Sequence, residues 1–418
     1  MTTYKPRLID ELIERKLRAV GGIVLKGPRF VGKTTTALAH SKSSIRLDSS
    51  PDMAQQATLT PNILLAGDVP RVIDEWQLAP SIWNAVRYEL DQRSKPGQFI
   101  LTGSVAPDED LTRHTGTGRI SRIALKPMTL QESDDSTNQV NVSALFSDNP
   151  NIEGFGGPNF EDYAGLIVRG GWPALIQMSS EDAQVALIDY IDNVSLVDLR
   201  TLSSPPDPER MKALIAAVAR NLSTEATLDN LAKEAQLHGA DLAAQTVRKY
   251  LDQLSQIFIL DEVSAWKPHL RSSIQMRVKP KWHFVDPSLA TAALRISADD
   301  LLADLKTMGL FFESMVMRDL SVYAQSVDAQ LFHYRDSSDL EVDAILQNAR
   351  GQWAAIEVKL GGQVAIEEAA ESLLKLRKRV TKEKLAQLKV SAIITAGQHS
   401  YIRPDGIAVI ALGHLHYE

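Results

Sequence analysis

The run Gly27-Pro28-Arg29-Phe30-Val31-Gly32-Lys33-Thr34 spells G-x-x-x-x-G-K-T, and it constrains the fold more than any other stretch of the chain. A glycine-rich loop of this spacing wraps its backbone N–H groups around a β-phosphate. The lysine then reaches the β/γ-phosphates and the hydroxyl goes to Mg²⁺. Such a loop needs a strand before it and a helix after it. Gly22–Lys26 reads as a short buried strand, and residues 35–40 read as the helix, whose N-terminus adds partial positive charge at the phosphate. Gly27, Pro28, Arg29, Phe30, Val31, Gly32 and Thr35 are expected to form the cradle, with Lys33 on phosphate and Thr34 on metal. The expected ligands are a nucleoside triphosphate, taken as ATP, and Mg²⁺.

With 418 residues the chain is too long for one core, and two to four domains are expected. Apolar content of 44% and charged content of 23% are those of an ordinary globular protein. No window approaches about 18 uninterrupted apolar residues, so no membrane span is expected. The N-terminus leads into a charged helix over residues 9–18 without an apolar secretory segment. Cysteine is absent, which excludes disulfides, thiol nucleophiles and cysteine metal sites and fits a reducing cytoplasm. The net charge of -7 argues against nonspecific coating of nucleic acid, yet leaves room for a local basic face.

Residues 70–77 (P-R-V-I-D-E-W-Q) supply an apolar strand ending in two carboxylates. Asp74 is expected to support Mg²⁺ and Glu75 to orient and polarise the attacking water. A merely acidic opening of the helix over 80–93 is the plainer alternative. Residues 99–104 (F-I-L-T-G-S) read as a third strand, and either Thr102 or Ser104 could sense a γ-phosphate from its end. Arg113, Arg119 and Arg122 follow, any of which could stabilise the transferring phosphoryl group, in cis or in a neighbouring subunit. Arg119 is the one taken forward, with Glu75, Lys33 and Ser104, as the expected catalytic set.

The runs G-P-R-x-V-G-K-T, I-D-E-W-Q, I-L-T-G-S, Gly118-Arg119, L-K-P-M-T-L-Q-E (residues 125–132) and G-G-W-P (residues 170–173) together resemble a family of bacterial and archaeal AAA-like ATPases. In that family a P-loop domain is fused to a C-terminal domain of unknown function. The resemblance covers nearly the whole chain and implies an α/β P-loop NTPase core with a helical lid.

Residues 133–158 shift to Ser, Asp, Asn, Gly and Pro and read as a loop or mobile linker. Helices over 211–221, 228–236 and 243–256, followed by strand-like residues 257–260, give the order of a winged helix-turn-helix. Thr246, Arg248 and Lys249 would face outward on its third helix. Seven basic residues (counting His238) against six acidic ones over 209–256 do not make a phosphate-seeking surface. Lys267, Arg271, Arg277, Lys279 and Lys281 follow with no acid among them, and a basic wing there could touch phosphates.

Residues 340–346 and 353–360 alternate strictly and are joined by a six-residue connection containing Gly351, which predicts a hairpin. The alternation places Leu340, Val342, Leu346, Ile356, Val358 and Leu360 in a core and projects Asp343, Glu357 and Lys359 from the opposite face. Asp, then Glu-x-Lys on the next strand, resembles the catalytic signature of the PD-(D/E)xK nuclease fold. Glu313, in a helix over 309–323, matches the helical carboxylate of its resolvase-like branches. That resemblance implies metal ligation by Glu313, Asp343 and Glu357, with Lys359 orienting the nucleophile. A solvated hairpin face with cross-strand Glu–Lys pairs is the alternative. Lys375, Arg377, Lys378, Arg379, Lys382, Lys384 and Lys389 form a basic stripe where a nucleic-acid backbone could lie.

The expected organisation is a P-loop ATPase core at 1–132, linker and helical lid at 133–204, a winged-helix-like domain at 205–285 and a nuclease-like α/β domain at 286–418. The expected function is Mg²⁺-dependent ATP hydrolysis coupled to a C-terminal domain directed at nucleic acid (DNA or RNA) or a protein partner. An ATP-regulated metal-dependent nuclease and a nucleotide-dependent switch of assembly are the alternatives. A cytoplasmic homo-oligomer of unspecified number is expected, with no membrane partner.

Overall fold

The computed structural model describes residues 4–103, 116–196, 199, 204–267 and 280–418. The chain forms two compact units, Met1–Lys126 with Gln256–Phe258, and Pro127–Ser255 with Ile259–Glu418.

In the first unit, short runs rich in Ile, Val and Leu form β1 (Gly22–Lys26), β2 (Ser43–Arg46), β3 (Arg71–Asp74), β4 (Phe99–Gly103) and β5 (Ile120–Ala124). They build one parallel sheet in the order β2-β3-β4-β1-β5. β4 therefore lies between the strand that enters the glycine loop and the strand that ends at Asp74. β1 and β4 are buried almost throughout, as expected of central parallel strands covered on both faces. Trp76, Trp83, Ile82 and Val86 pack with Leu101 and Phe99 in the core on this sheet.

The second unit has a helical part and a sheet. Its helices begin at well-formed caps. Asn159 and Asp162 make a capping box for Phe160–Arg169, and Asp207 and Thr227 cap Pro208–Arg220 and Leu228–Leu237. The Ala244–Gln256 helix follows, and then β8 (Leu260–Val263) pairs antiparallel with β9 (Lys281–Phe284). The strand thus starts at Leu260 instead of spanning 257–260, because residues 257 and 258 form a turn in which Phe258 adopts φ +62°.

The sheet contains β10 (Ala329–Arg335), β11 (Glu341–Asn348), β12 (Trp353–Lys359), β13 (Leu388–Thr395), β14 (His399–Ile402) and β15 (Ala408–Ala411). Its order is β10-β11-β12-β13-β15-β14-β7, where β7 is Gly154–Phe155. β6 (Val140–Asn141) pairs with β16 (Leu415–His416). Residues 133–158 are therefore not a loose linker. Val140, Val142, Leu145 and Ile152 are buried, and the segment adds the seventh strand. Single apolar residues among polar ones carry too weak a period to reveal this in the sequence.

The predicted hairpin of β11 and β12 is present, with Ala344 opposite Ile356. Its polar face is only partly solvated, because helices Leu305–Ser326 and Gln363–Arg379 both pack on these strands while Lys359 stays 31% exposed. Asp343 and Glu357 are accordingly buried.

Arg318 of the Leu305–Ser326 helix ties the second unit together. Its side chain is 1% exposed and donates to Asp286 (2.9 Å) and, through Nε, to Asp319 (2.8 Å). Asp286 also accepts the N–H groups of Gly171 and Ser288, and Asp319 accepts that of Leu130. Replacing Arg318 with Met leaves two buried aspartates without their cation, which costs about 3–5 kcal/mol. Urea unfolding of the variant should show a correspondingly lower midpoint, and a midpoint like that of the parent protein would contradict this role for Arg318.

Candidate functional site

The first site lies at the C-terminal ends of β1, β3 and β4. The chain leaves β1 through Gly27, where an added Cβ would stand 2.2 Å from the Leu125 carbonyl oxygen, so only glycine lets the loop pass. Gly32 closes the loop at φ +96°, and Lys33 opens the Lys33–Ala39 helix. The Lys33 side chain is 6% exposed, and its Nζ donates to the carbonyls of Gly27 (3.0 Å) and Pro28 (2.7 Å). Arg7 braces the loop from behind, donating to Val31 O (3.1 Å) and Lys126 O (2.6 Å). Phe30, at the loop's tip, is 72% exposed.

Thr34 and Asp74 are brought together across the sheet. Thr34 Oγ1 donates to both carboxylate oxygens of Asp74, at 2.8 and 3.1 Å. Thr102, fully buried on β4, donates to the same carboxylate. Arg46, at the end of β2, places Nε 3.5 Å from Asp74. A hydroxyl and a carboxylate meeting beside a buried ammonium form an oxygen-donor set suited to a hard cation and its phosphate partner. Of the two hydroxyls on the β4 strand end, Thr102 is thus bonded to Asp74, while Ser104 lies outside the described residues, as does Arg113.

Glu75 is the first residue beyond β3 and adopts φ +55°. Its carboxylate accepts from Gln77 Nε2. Gln77 in turn occupies the space over Gly103, where a Cβ would stand 2.5 Å from Gln77 Oε1. Burial raises the Glu75 carboxyl above its ordinary range, with Gln77 and the Lys33 charge opposing.

Arg119 does not join this group. It directly precedes Ile120, which pairs with Gly22 at the start of β1, so Arg119 stands at the opposite end of the strands from the loop. Four residue steps along β1 separate the two ends, about 13 Å. Its guanidinium pairs instead with Asp91. The geometry removes Arg119 from the cis role beside its own glycine loop. Arg122 lies over the Trp83 ring at 5.9 Å.

The second site lies on β11 and β12. Asp343, Glu357 and Lys359 converge there, as the spacing predicts. Lys359 Nζ is 2.9 Å from Glu357 and 3.7 Å from Asp343, and Val358 N donates to Asp343 at 2.7 Å. They line a cavity of about 490 Å³ with Glu341, Lys375 and Arg379. Burial, and then the neighbouring Asp343, raises the Glu357 carboxyl well above its ordinary range.

Glu313 pairs with Lys281 at 3.3 Å, and among the described residues no group of three or more His, Asp or Glu side chains is arranged as it stands to hold a metal ion. Lys281, expected in a basic wing, is instead buried against Glu313 and Glu341, because the carboxylates of the Leu305–Ser326 helix and of β11 compensate its charge. Arg271, Arg277 and Lys279 lie outside the described residues.

Arg248 and Lys249 do face outward, but Arg248 pairs with Asp252 and Glu262, and Lys249 donates to Ser204. The basic stripe is likewise divided. Arg377 donates to Ser391 and Lys389 pairs with Asp148, while Lys375 and Arg379 reach the cavity.

Arg7, Arg46, Gln77 and Lys281 were missed by sequence reasoning. Only Gln77 stood within a recognised motif, and the others are single polar residues whose partners are distant in the chain.

Residues 21–133 match the family model described as an AAA domain. Residues 160–300 and 308–415 match two models described as domains of unknown function (DUF8612 and DUF4143). The chain thus carries an AAA-like P-loop domain at residues 21–133, followed by a C-terminal domain of unknown function. Uncharacterized proteins of Mycobacterium tuberculosis and Mycobacterium bovis are each 24% identical over 405 residues, covering 95% of this chain and 81% of theirs. Among solved structures, a Walker-type ATPase of Pyrococcus abyssi (PABY2304) is 15% identical with a TM-score of 0.43, covering 68% of this chain and 94% of its own. The Drosophila ORC bound to DNA is 14% identical with a TM-score of 0.21, over 69% of this chain and 85% of that one. Among the described residues no helix is long and apolar enough to cross a membrane.

The Arg7 brace is testable apart from any ligand contact. Arg7→Leu should lower stability by about 1.5–3 kcal/mol through lost charge-assisted bonds. It should also weaken binding of a fluorescent nucleotide analogue about tenfold, since the loop is no longer held before the ligand arrives. Unchanged affinity in a folded variant would remove the brace from the binding site.

Proposed function

We propose that the protein is a Mg²⁺-dependent ATPase whose turnover is coupled to its C-terminal domain. The observation that carries this reading is the meeting of Thr34 with Asp74, 40 positions apart, beside the buried Lys33 ammonium. Lys33 would exchange its two carbonyl acceptors for phosphate oxygens, and the backbone from Gly27 to Thr35 would cradle them. Thr34 and Asp74 would hold Mg²⁺, which when bound neutralises charge on the phosphates. Thr102 and Arg46 would keep the Asp74 carboxylate oriented. Glu75 would accept the proton of the attacking water, and Gln77 would fix the direction of its carboxylate.

The partner of the C-terminal domain is read as DNA, RNA or another protein, and the working assembly as a homo-oligomer. In such an oligomer Arg119 could act only on a neighbouring subunit's nucleotide. The four-segment division at 132, 204 and 285 belongs to the same proposal.

Lys33→Ala should abolish nucleotide binding, measured by calorimetry. Glu75→Gln should retain binding while phosphate release falls about a hundredfold or more. Tight ATP binding by the Lys33 variant, or full turnover by the Glu75 variant, would refute these roles.

A pH profile checks the base directly. Glu75 accepts a proton only when ionised, so activity falls as pH drops through its raised pKa. The acid limb should therefore lie above the ordinary carboxylate value of about 4.3. Gln77 favours the ionised form, so Gln77→Leu should move that limb to still higher pH. A limb that stays put in the Gln77 variant, or that survives in Glu75→Gln, assigns the titration elsewhere.

A further inference from the structure

We infer that the Lys281 ammonium is the built-in counter-ion of the C-terminal carboxylate cluster and that it excludes a divalent cation from it. This stands independently of the ATPase reading. Four acids gather here, Glu313, Glu341, Asp343 and Glu357, and each already has a cationic partner. Lys281 Nζ lies 2.5 Å from Glu341 and 3.3 Å from Glu313, while Lys359 Nζ lies 2.9 Å from Glu357 and 3.7 Å from Asp343.

Lys281 is the deeper of the two cations. Its side chain is 1% exposed, against 31% for Lys359. Two carboxylates, Glu341 and Glu313, stand within ion-pair distance of it and favour its charged form. A charge of this kind, desolvated and fixed by its carboxylates, does the electrostatic work that a metal ion would otherwise do. A divalent cation seeking Glu313 meets an ammonium that cannot swing into water, and taking Glu313 leaves that buried ammonium with Glu341 as its remaining close carboxylate and a second positive charge beside it.

The arrangement also joins two regions that match separate family models. Lys281 and Glu225 lie within residues 160–300, whereas Arg335 and Glu341 lie within 308–415. Arg335 NH1 stands 3.4 Å from Glu225 and 3.5 Å from Glu341, and Glu341 leads on to Lys281. The charges alternate along Glu225, Arg335, Glu341, Lys281 and Glu313, so the middle region supplies the cation that completes the C-terminal site. Glu341, Asp343, Glu357 and Lys359 of this cluster line the cavity together with Lys375 and Arg379.

The experiment uses the full chain without nucleotide and titrates it with Mn²⁺. Free Mn²⁺ is read by electron paramagnetic resonance and folding by circular dichroism melting. Lys281→Gln should bind Mn²⁺ at least about tenfold more tightly than the parent, because the cluster has lost its resident charge. Its melting midpoint should rise with Mn²⁺, and adding Glu313→Gln should cancel both effects. A folded Lys281→Gln protein with parental Mn²⁺ affinity overturns the inference. Should that variant not fold at any Mn²⁺ concentration, Glu313→Gln alone decides. Mn²⁺ binding equal to the parent's supports Lys281 as the partner of Glu313, and about a tenfold loss makes Glu313 a metal ligand and overturns the proposal.

Discussion

The second unit depends on one buried cation, Arg318, held between Asp286 and Asp319. Burying three charges is expensive, and the arrangement persists because nearly every polar atom is used. The aspartates do more than neutralise the guanidinium. Through Gly171, Ser288 and Leu130 they fix two of the motifs that mark the chain, G-G-W-P and L-K-P-M-T-L-Q-E. Met128 N donates to Gly171 O at 2.6 Å, so the two motifs also hold each other. Trp172 Nε1 donates to Ser288 Oγ, at the start of the buried Pro287–Leu294 helix. What looks in the sequence like a set of scattered signature residues is one polar knot, and its role is architectural.

The glycine loop was legible because its chemistry is local. Spacing alone defines it, and the flanking strand begins and ends where the apolar run does. Asp74 and Glu75 were legible for the same reason, as polar residues closing an apolar strand. The placement of β4 between β1 and β3 had only a hint in the sequence, a third apolar run ending in hydroxyls. The choice between a cis and a neighbouring-subunit role for Arg119 was not legible, because sequence proximity to a motif says nothing about which end of a parallel sheet's strands a residue occupies. Strand register decides that, and register is a long-range property.

The C-terminal sheet shows a different limit. Alternation correctly paired β11 with β12 and brought Asp343, Glu357 and Lys359 together. It failed to say that their face is partly covered. A period of two reports which residues share a face, but whether that face meets water depends on what else the chain lays over it. Here helices Leu305–Ser326 and Gln363–Arg379 pack on the strands and Lys281 arrives from another region altogether. A lone lysine in a basic stretch carries no sign that it will end up buried among carboxylates.

The two sites treat their lysines in opposite ways, and the difference is physical. Lys33 donates to the backbone carbonyls of Gly27 and Pro28, neutral acceptors that an arriving phosphate can replace with stronger charge-assisted bonds. Exchange there gains electrostatic energy, which is what a site that binds and releases an anion requires. Lys281 and Lys359 contact carboxylates, so their strong partners are already in place. Exchange there gains little, because each lysine gives up a carboxylate it already holds. The first site is built to have its ionic partners completed by a ligand, whereas much of the second is completed by the protein itself. On the proposed reading, the first site would exchange its partners with a nucleotide while the second would keep its charge balance through its own lysines.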